Sequence, residues 1–195
     1  MGILAVGVET IIGIIILAVV VCFVLFLVTT YNKLIKLKQM VSNAWSQIDV
    51  QLQRRFDLIP NLIECVKKYM SHEKETLEKI AELRTSWANA KEPSAKMKLE
   101  SELAQSLKTI FAVAEGYPEL KANTNFLSLQ ESLEDTESKV AYARQFYNDT
   151  VTKYNTSVKT FPNSIIAGMF HFDESALFTV EDETARKAVK VDFDK

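Results

Sequence analysis

A run of 18 uncharged, mostly aliphatic residues near the N-terminus, Ile11–Val28, constrains this chain more than any other feature. Thr29 and Thr30 extend it, and about 20 helical residues cover the roughly 30 Å hydrocarbon core of a bilayer. A cleaved signal peptide would need a basic start, a shorter apolar core and a small-residue cleavage site, which this run does not have. The sequence therefore predicts a transmembrane helix over residues 11–30, after a short tail at residues 1–10.

The charges beside this run predict its orientation. Lys33, Lys36 and Lys38 follow it directly, whereas no Lys or Arg precedes it. Because basic flanks stay on the cytoplasmic side of a membrane, we expect a single-pass cell-membrane protein with a cytoplasmic C-terminal domain. The same lysines could contact anionic lipid headgroups.

Composition excludes some classes of protein. The net charge is −2, so a strongly basic nucleic-acid binder is not expected. Cys22 lies in the apolar run and Cys65 in a helical pattern, which predicts two free thiols and no disulfide framework. The chain has only 5 Gly and 4 Pro, a composition that favours long helices.

Apolar residues after the run recur at helical spacing. One stripe predicts a helix over about 31–56. A second stripe advances in alternating steps of three and four, a period typical of bundles and coiled coils, and predicts a helix over about 60–91. Pro60 leaves two alternatives: the chain reverses there and Pro60 opens a new helix, or the helix kinks and continues.

Two more helices are predicted, over about 95–115 and 118–160, with Ser94 as an N-cap and Pro118 at a first helical position. Helices joined by short loops lie antiparallel. The expected fold is therefore all-α: a transmembrane helix followed by an elongated antiparallel bundle. This bundle would have four helices if Pro60 reverses the chain, and three if it only kinks it.

The C-terminal region changes character. Residues 163–180 are rich in apolar side chains without clean periodicity, which predicts an irregular apolar flap that packs on the bundle. Residues 181–195 are polar and are expected to form a loose tail.

Catalytic and metal-binding patterns are nearly absent. His72-Glu73 resembles the start of a zinc-protease motif, but Thr76 occupies the position of its second histidine. Cys65 and His72 could form a nucleophile pair on one helix face, although a buried structural thiol is the favoured interpretation of Cys65. The sequence predicts no catalytic residue, no cofactor and no metal site.

Three charged residues are candidates for partner binding: Arg54, Arg55 and Glu73. Arg54 and Arg55 precede Asp57, so local ion pairs are the simpler interpretation. Glu73 falls on the apolar seam of its helix. A buried carboxylate would need a partner, and an exposed helix end at Glu73 is the favoured alternative.

Several strings in the chain resemble the signature of the LemA family. These strings are Tyr31–Leu37, Asn43–Leu52, Arg54–Leu62, Ala114–Asn123 and Tyr147–Pro162. The resemblance implies an N-terminal anchor and four helices, and so favours chain reversal at Pro60. One departure is His171, where the family pattern has Gly before Phe172, and this departure puts the turn after Phe170 in doubt.

The resemblance does not supply a reaction, because no biochemical activity is established for the family. The family is similar to a magnetosome membrane protein implicated in forming internal vesicles, and its members are often encoded beside a membrane zinc metalloprotease. We therefore predict a non-enzymatic scaffold or adaptor that contacts the bilayer through residues 11–30 and binds a protein partner, with a membrane protease as one candidate. The alternative is membrane remodelling by self-association as a homo-oligomer, and a metal-dependent sensor or enzyme ranks third.

Overall fold

The computed structural model describes residues 2–70 and 73–178, with side chains from residue 10 onward. Within these residues all regular structure is α-helical, which confirms the predicted all-α class. The chain divides into two compact units. Unit 1 comprises Met1–Ser46 and Phe146–Leu177, and unit 2 comprises Gln47–Gln145 and Phe178–Lys195.

The first helix, α1, runs from Gly2 to Asp57 and contributes to both units. Part of it is long and apolar enough to cross a membrane, and every side chain from residue 11 to residue 25 is exposed. A fully exposed aliphatic helix surface is unfavourable in water and favourable in lipid. The exposed surface covers residues 11–25 of the span predicted over residues 11–30.

Pro60 does not reverse the chain. The second helix, α2, spans Ile59–Lys67, and the one residue between it and α1, Leu58, keeps helical dihedral angles of φ −78° and ψ −19°. The Leu58 N–H donates to the Arg55 carbonyl at 3.2 Å. Pro60 lies in the first turn of α2, where its missing N–H costs little. The reversal that the family resemblance favoured is therefore wrong, and the helix continues past Pro60.

The reversal comes after α2 instead. The third helix, α3, spans Lys74–Asn89 and packs against α2. Phe56, near the end of α1, stacks on Trp87 of α3 with 4.7 Å between ring centroids, so α3 returns alongside the helix before it. The single helix predicted over 60–91 is therefore two helices. The spacing of three and four continued across the turn and so did not show the break, although two of its positions there, Glu73 and Thr76, are polar.

The fourth helix, α4, spans Pro93–Ala114 and packs against α3. Proline is suited to a helix start because it has no N–H to leave unsatisfied. The predicted Ser94 cap is wrong, because Ser94 lies inside the first turn and Glu92 precedes the helix without a side-chain cap. The predicted bounds of 95–115 are otherwise close to those of α4.

The helix predicted over 118–160 is two helices. Pro118 opens a helix as expected, but this helix, α5, ends at Lys121. The long helix α6 then spans Thr124–Lys159. The Asn123 side-chain oxygen accepts hydrogen bonds from two backbone N–H groups in the first turn of α6, at 2.9 and 3.2 Å. Asn123 is therefore an N-cap that separates the two helices.

Unit 2 is a helical bundle with one apolar core. It brings together the end of α1, α2, α3, α4, α5 and the first part of α6. Buried aliphatic side chains come from each long helix, including Leu52, Leu62, Ile80, Leu83, Leu103, Leu107, Ile110, Leu133 and Val140. The predicted bundle architecture is confirmed, although the chain enters it by a different division of helices.

Unit 1 contains the start of α1, the end of α6 and a short helix, α7, that spans Asn163–Met169. The irregular flap predicted over 163–180 is thus helical in its first part. Residues 172–178 have no regular structure, and Phe172 is buried. The predicted tail at 181–195 lies outside the described residues.

Candidate functional site

A cluster of four charged side chains lies within unit 2. Arg55 of α1 donates from Nη1 to Oε1 of Glu100 on α4 at 3.1 Å, and its Nη2 pairs with Glu137 of α6. Arg144 of α6 pairs with the second oxygen of Glu100. Two arginines and two glutamates from three helices therefore form one chain of ion pairs, called here the ion cluster.

The ion cluster is buried at its centre. The Glu100 side chain is 1% exposed and the Arg55 side chain 4%, whereas Glu137 is 44% exposed. Burial raises the pKa of the Glu100 carboxyl, and the guanidiniums of Arg144 and Arg55 oppose that rise. The cluster therefore places a desolvated carboxylate between two cations, with the Glu137 end open to water.

The geometry of the ion cluster favours a structural role. A guanidinium keeps its proton at any physiological pH, so neither arginine can act as a base. Both oxygens of Glu100 are engaged by arginines, and Arg144 also lies over the Phe178 ring at 4.6 Å. The Nε atoms of Arg55 and Arg144 have no hydrogen-bond partner among the described residues. The cluster can hold α1, α4 and α6 in register.

Unit 2 also has an open cleft of about 780 Å³ where α2 ends and α6 begins. Asn123 links the two helices there, because its amide donates to the Tyr69 hydroxyl at 3.2 Å. Cys65 lies within 4.0 Å of the Asn123 side-chain oxygen. Exposed lysines, Lys67 and Lys68, complete a polar wall. This cleft is called here the α2–α6 cleft.

Cys65 is poorly suited to nucleophilic attack. Burial raises the pKa of its thiol, although the charge of Lys68 opposes the rise. A thiol is reactive as a thiolate, so a raised pKa keeps Cys65 in its unreactive form. The other half of the suspected pair, His72, lies outside the described residues. Among the described residues no group of three His, Cys, Asp or Glu side chains could hold a metal ion.

The structure separates the three candidate residues. Arg54 is exposed, and Arg55, its neighbour, is buried in the ion cluster. The expected local pairs with Asp57 are not formed by Arg55, whose partners are 45 and more residues away. Glu73 is half-exposed at the N-cap position of α3, and its carbonyl accepts from Leu77 at 3.2 Å. The structure therefore does not bring the three together.

Sequence reasoning missed Glu100, Glu137 and Arg144. A signal existed for Glu100, because the buried positions of α4 advance in steps of three and four from Glu100. Those positions are Glu100, Leu103, Leu107, Ile110 and Ala114. A charge at a core position needs an opposite charge nearby, but the helix that supplies it cannot be read from α4 alone.

Known proteins resemble this chain over most of its length. Protein LemA of Metamycoplasma hominis is 24% identical over 152 residues, which cover 77% of this chain and 69% of that protein. The magnetosome proteins MamQ 2 and MamQ 1 of Paramagnetospirillum magneticum are each 20% identical over 185 residues, covering 82% of this chain and 68% of each relative. The pattern of the LemA family matches residues 44–193, and on this evidence the chain belongs to the LemA family.

Proposed function

We propose that this chain is a single-pass membrane protein whose helical domain holds a protein partner at the cell membrane without catalysing a reaction. One observation carries the proposal: α1 contains both an exposed apolar stretch of membrane-spanning length and Arg55 of the buried ion cluster. A helix that is lipid-compatible at one end and part of a packed bundle at the other is suited to tethering.

The α2–α6 cleft is the proposed docking site. It is lined by the amides of Asn61, Asn123 and Asn125, by two exposed lysines and by one exposed glutamate, Glu64, so that the lysines outnumber the carboxylate. Amide groups can pair with an extended backbone, and lysines attract carboxylates. The partner segment is therefore proposed to be an acidic peptide.

The lysines after the apolar stretch support a membrane orientation with the helical domain in the cytoplasm. Lys33, Lys36 and Lys38 are exposed on α1, directly beyond residues 11–30. Basic flanks stay in the cytoplasm, so the docking site would face cytoplasmic proteins or the cytoplasmic part of a membrane protein.

Site-specific photo-crosslinking in native membranes tests the docking proposal. A benzophenone amino acid would replace Asn61 in the α2–α6 cleft and, as a matched control, Glu131, which is exposed on α6 but does not line the cleft. We expect a discrete protein adduct from position 61 that position 131 does not form. We also expect Lys67→Glu with Lys68→Glu to abolish it, because the charge reversal repels an acidic segment.

Other outcomes contradict parts of the proposal. Identical adducts from both positions, or an adduct that survives the charge reversal, would show that the cleft is not the docking site. An adduct at twice the 22.1 kDa mass of the chain would favour self-association, the mechanism of the membrane-remodelling alternative. If neither position captured any protein, the adaptor function itself would be contradicted.

A further inference from the structure

A patch of exposed apolar side chains surrounds α7 in unit 1. Phe161 is 76% exposed, Ile165 56%, Met169 64% and Phe170 52%. Ile165 and Met169 lie four residues apart in α7 and so share one face of that helix, whereas Phe161 precedes α7 and Phe170 follows it. The neighbouring residues Ile166 and Ala167 are buried. The segment is therefore apolar on both sides, which is typical of a helix that is covered on both sides.

Contacts with α1 place this patch at the end of the apolar stretch. The Tyr31 ring lies 4.8 Å from the Phe170 ring and 5.7 Å from the Phe172 ring, both edge-to-face. Thr30 is buried, whereas the side chains from residue 11 to residue 25 are exposed. The protein of unit 1 thus begins to cover α1 where the membrane-spanning stretch ends.

The proposed span over residues 11–30 puts Tyr31 at the depth of the lipid headgroups. A span over residues 11–30 fills the hydrocarbon core, so Tyr31 comes directly after it, in the interfacial zone where tyrosine is enriched. Phe170 contacts Tyr31 and so lies in the same zone. Exposed phenylalanine, isoleucine and methionine are unfavourable in water at that level and favourable against lipid acyl chains.

The charges near the patch suit a headgroup environment. Lys33 and Lys36 are exposed on the two turns of α1 that follow Tyr31, and Lys38 lies 5.8 Å from the Phe172 ring. The acidic neighbours are Asp173 and Glu174, and Glu174 is paired with Lys159 at 2.8 Å. Cations beside exposed apolar side chains are the usual composition of a surface that binds at an anionic interface.

We propose that Phe161, Ile165, Met169 and Phe170 form a second membrane contact, which inserts into the headgroup–acyl boundary of the leaflet from which α1 emerges. The occupant of this apolar face is the bilayer itself, because Phe170 contacts Tyr31, the residue that directly follows the membrane span. The contact rests on the proposed membrane anchor and does not depend on any protein partner. It gives unit 1 two points of attachment to the bilayer.

Spin-label accessibility in nanodiscs tests the proposal. The full chain, with Cys22→Ser and Cys65→Ser, would carry one nitroxide after Ile165→Cys, reconstituted at one copy per disc in mixed neutral and anionic lipid. Thr152→Cys, an exposed site on α6 in unit 1, controls for the affinity of the label for lipid, and Leu25→Cys reports the membrane span. The measurement is the relaxation of each label by oxygen, which concentrates in lipid, relative to a water-soluble nickel chelate.

We expect the ratio of oxygen to nickel-chelate accessibility at position 165 to exceed that at position 152 several-fold and to approach that at position 25. Equal ratios at positions 165 and 152 would overturn the second contact while leaving the anchor intact. An oxygen preference at position 165 that appeared only with two copies per disc would assign the face to a second chain, and so overturn the proposal. A water-accessible label at position 25 would overturn the anchor and the contact together.

Discussion

At the scale of single residues, the most consequential side chain is Glu100. It is buried, and its two oxygens meet Arg55 and Arg144 from two other helices. Burying charges is costly, and the cost is offset only while each charge keeps its partner. Removing the one carboxylate that both arginines share therefore has a larger effect than the loss of one ordinary ion pair.

We predict that Glu100→Gln lowers the free energy of unfolding by about 3–5 kcal/mol, because it leaves two guanidiniums without their shared buried counter-charge. Thermal unfolding of the full chain in detergent, followed by the helical circular dichroism signal, measures the effect. Glu137→Gln is the matched control, since Glu137 is 44% exposed and water can replace it. Equal losses from the two variants would contradict the structural role of the buried centre.

His171 is the second residue with a clear local consequence. It has a positive φ of 55°, and the next N–H, that of Phe172, donates to the Ala167 carbonyl at 2.9 Å. This is the helix-ending geometry that glycine usually provides. The turn after Phe170 therefore forms although His171 replaces the glycine of the family pattern. His171 adopts a backbone conformation that is unfavourable for a residue with a Cβ.

His171→Gly should raise the free energy of unfolding by about 1 kcal/mol, because glycine adopts a positive φ without steric conflict. His171→Ala is the control, since it removes the ring but keeps the Cβ. Melting temperatures of the two variants and the parent chain provide the measurement. If alanine stabilised the protein as much as glycine, the ring and not the backbone would be responsible.

At the scale of elements, the segment after α7 has no regular structure and is held in place by side chains of α6. The Tyr147 hydroxyl donates to the Ala176 carbonyl and the Tyr154 hydroxyl to the Asp173 carbonyl, both at 2.9 Å. Asn155 adds a reciprocal pair with the backbone of Ser175, at 2.9 Å in each direction. Side chains of α6 thus satisfy backbone groups that lack partners in a helix or sheet.

These tyrosines predict a loss of stability at alkaline pH. Burial raises the pKa of Tyr147 above its ordinary value of 10.0, and burial with the charge of Asp173 raises that of Tyr154. The unfolded chain therefore releases these protons first. The associated stability is complete below the unfolded pKa and is lost as pH rises from there through the folded pKa.

We expect Tyr147→Phe with Tyr154→Phe to lower the melting temperature at neutral pH, because two hydrogen bonds are removed. The same variant should lose less melting temperature than the parent chain between about pH 9 and about pH 11. Tyr142→Phe, at an exposed ring, is the control. Parallel pH profiles for the parent and the double variant would contradict the assignment to these tyrosines.

At the scale of the whole molecule, the proposed orientation depends on the basic residues that follow the apolar stretch. Bases follow the stretch and none precedes it. The membrane orientation of a span responds to Lys and Arg within about 15–20 residues of its ends. Only a few residues therefore need to be substituted to test it.

We predict that a reporter active only in the cytoplasm, fused after Lys195, is active, and that one active only outside the cytoplasm is inactive. Changing Lys33, Lys36 and Lys38 to Gln, and adding three lysines before Ile11, should reverse or mix the two signals. The control is a variant that carries the three added lysines before Ile11 but keeps Lys33, Lys36 and Lys38. An external signal from the unaltered chain would place the domain outside the cytoplasm and exclude cytoplasmic partners.

The candidate site could be predicted only in part, for a reason that Arg55 illustrates. Its charge and its place in a helical pattern are visible in the sequence, and Asp57 offered a local partner. The real partners, Glu100 and Glu137, lie on other helices. Which charges meet depends on how the helices pack, so long-range pairs cannot be read from one segment.

The sequence by itself determined the apolar stretch and the all-α class, because these depend on local composition and on the helical period. Only the tertiary structure decided where the chain turns back. Pro60 is tolerated in a first helical turn, while the reversal after α2 lies within one continuous spacing of three and four. The packing of α3 against α2, together with the stacking of Trp87 of α3 on Phe56 of α1, determines where the chain reverses.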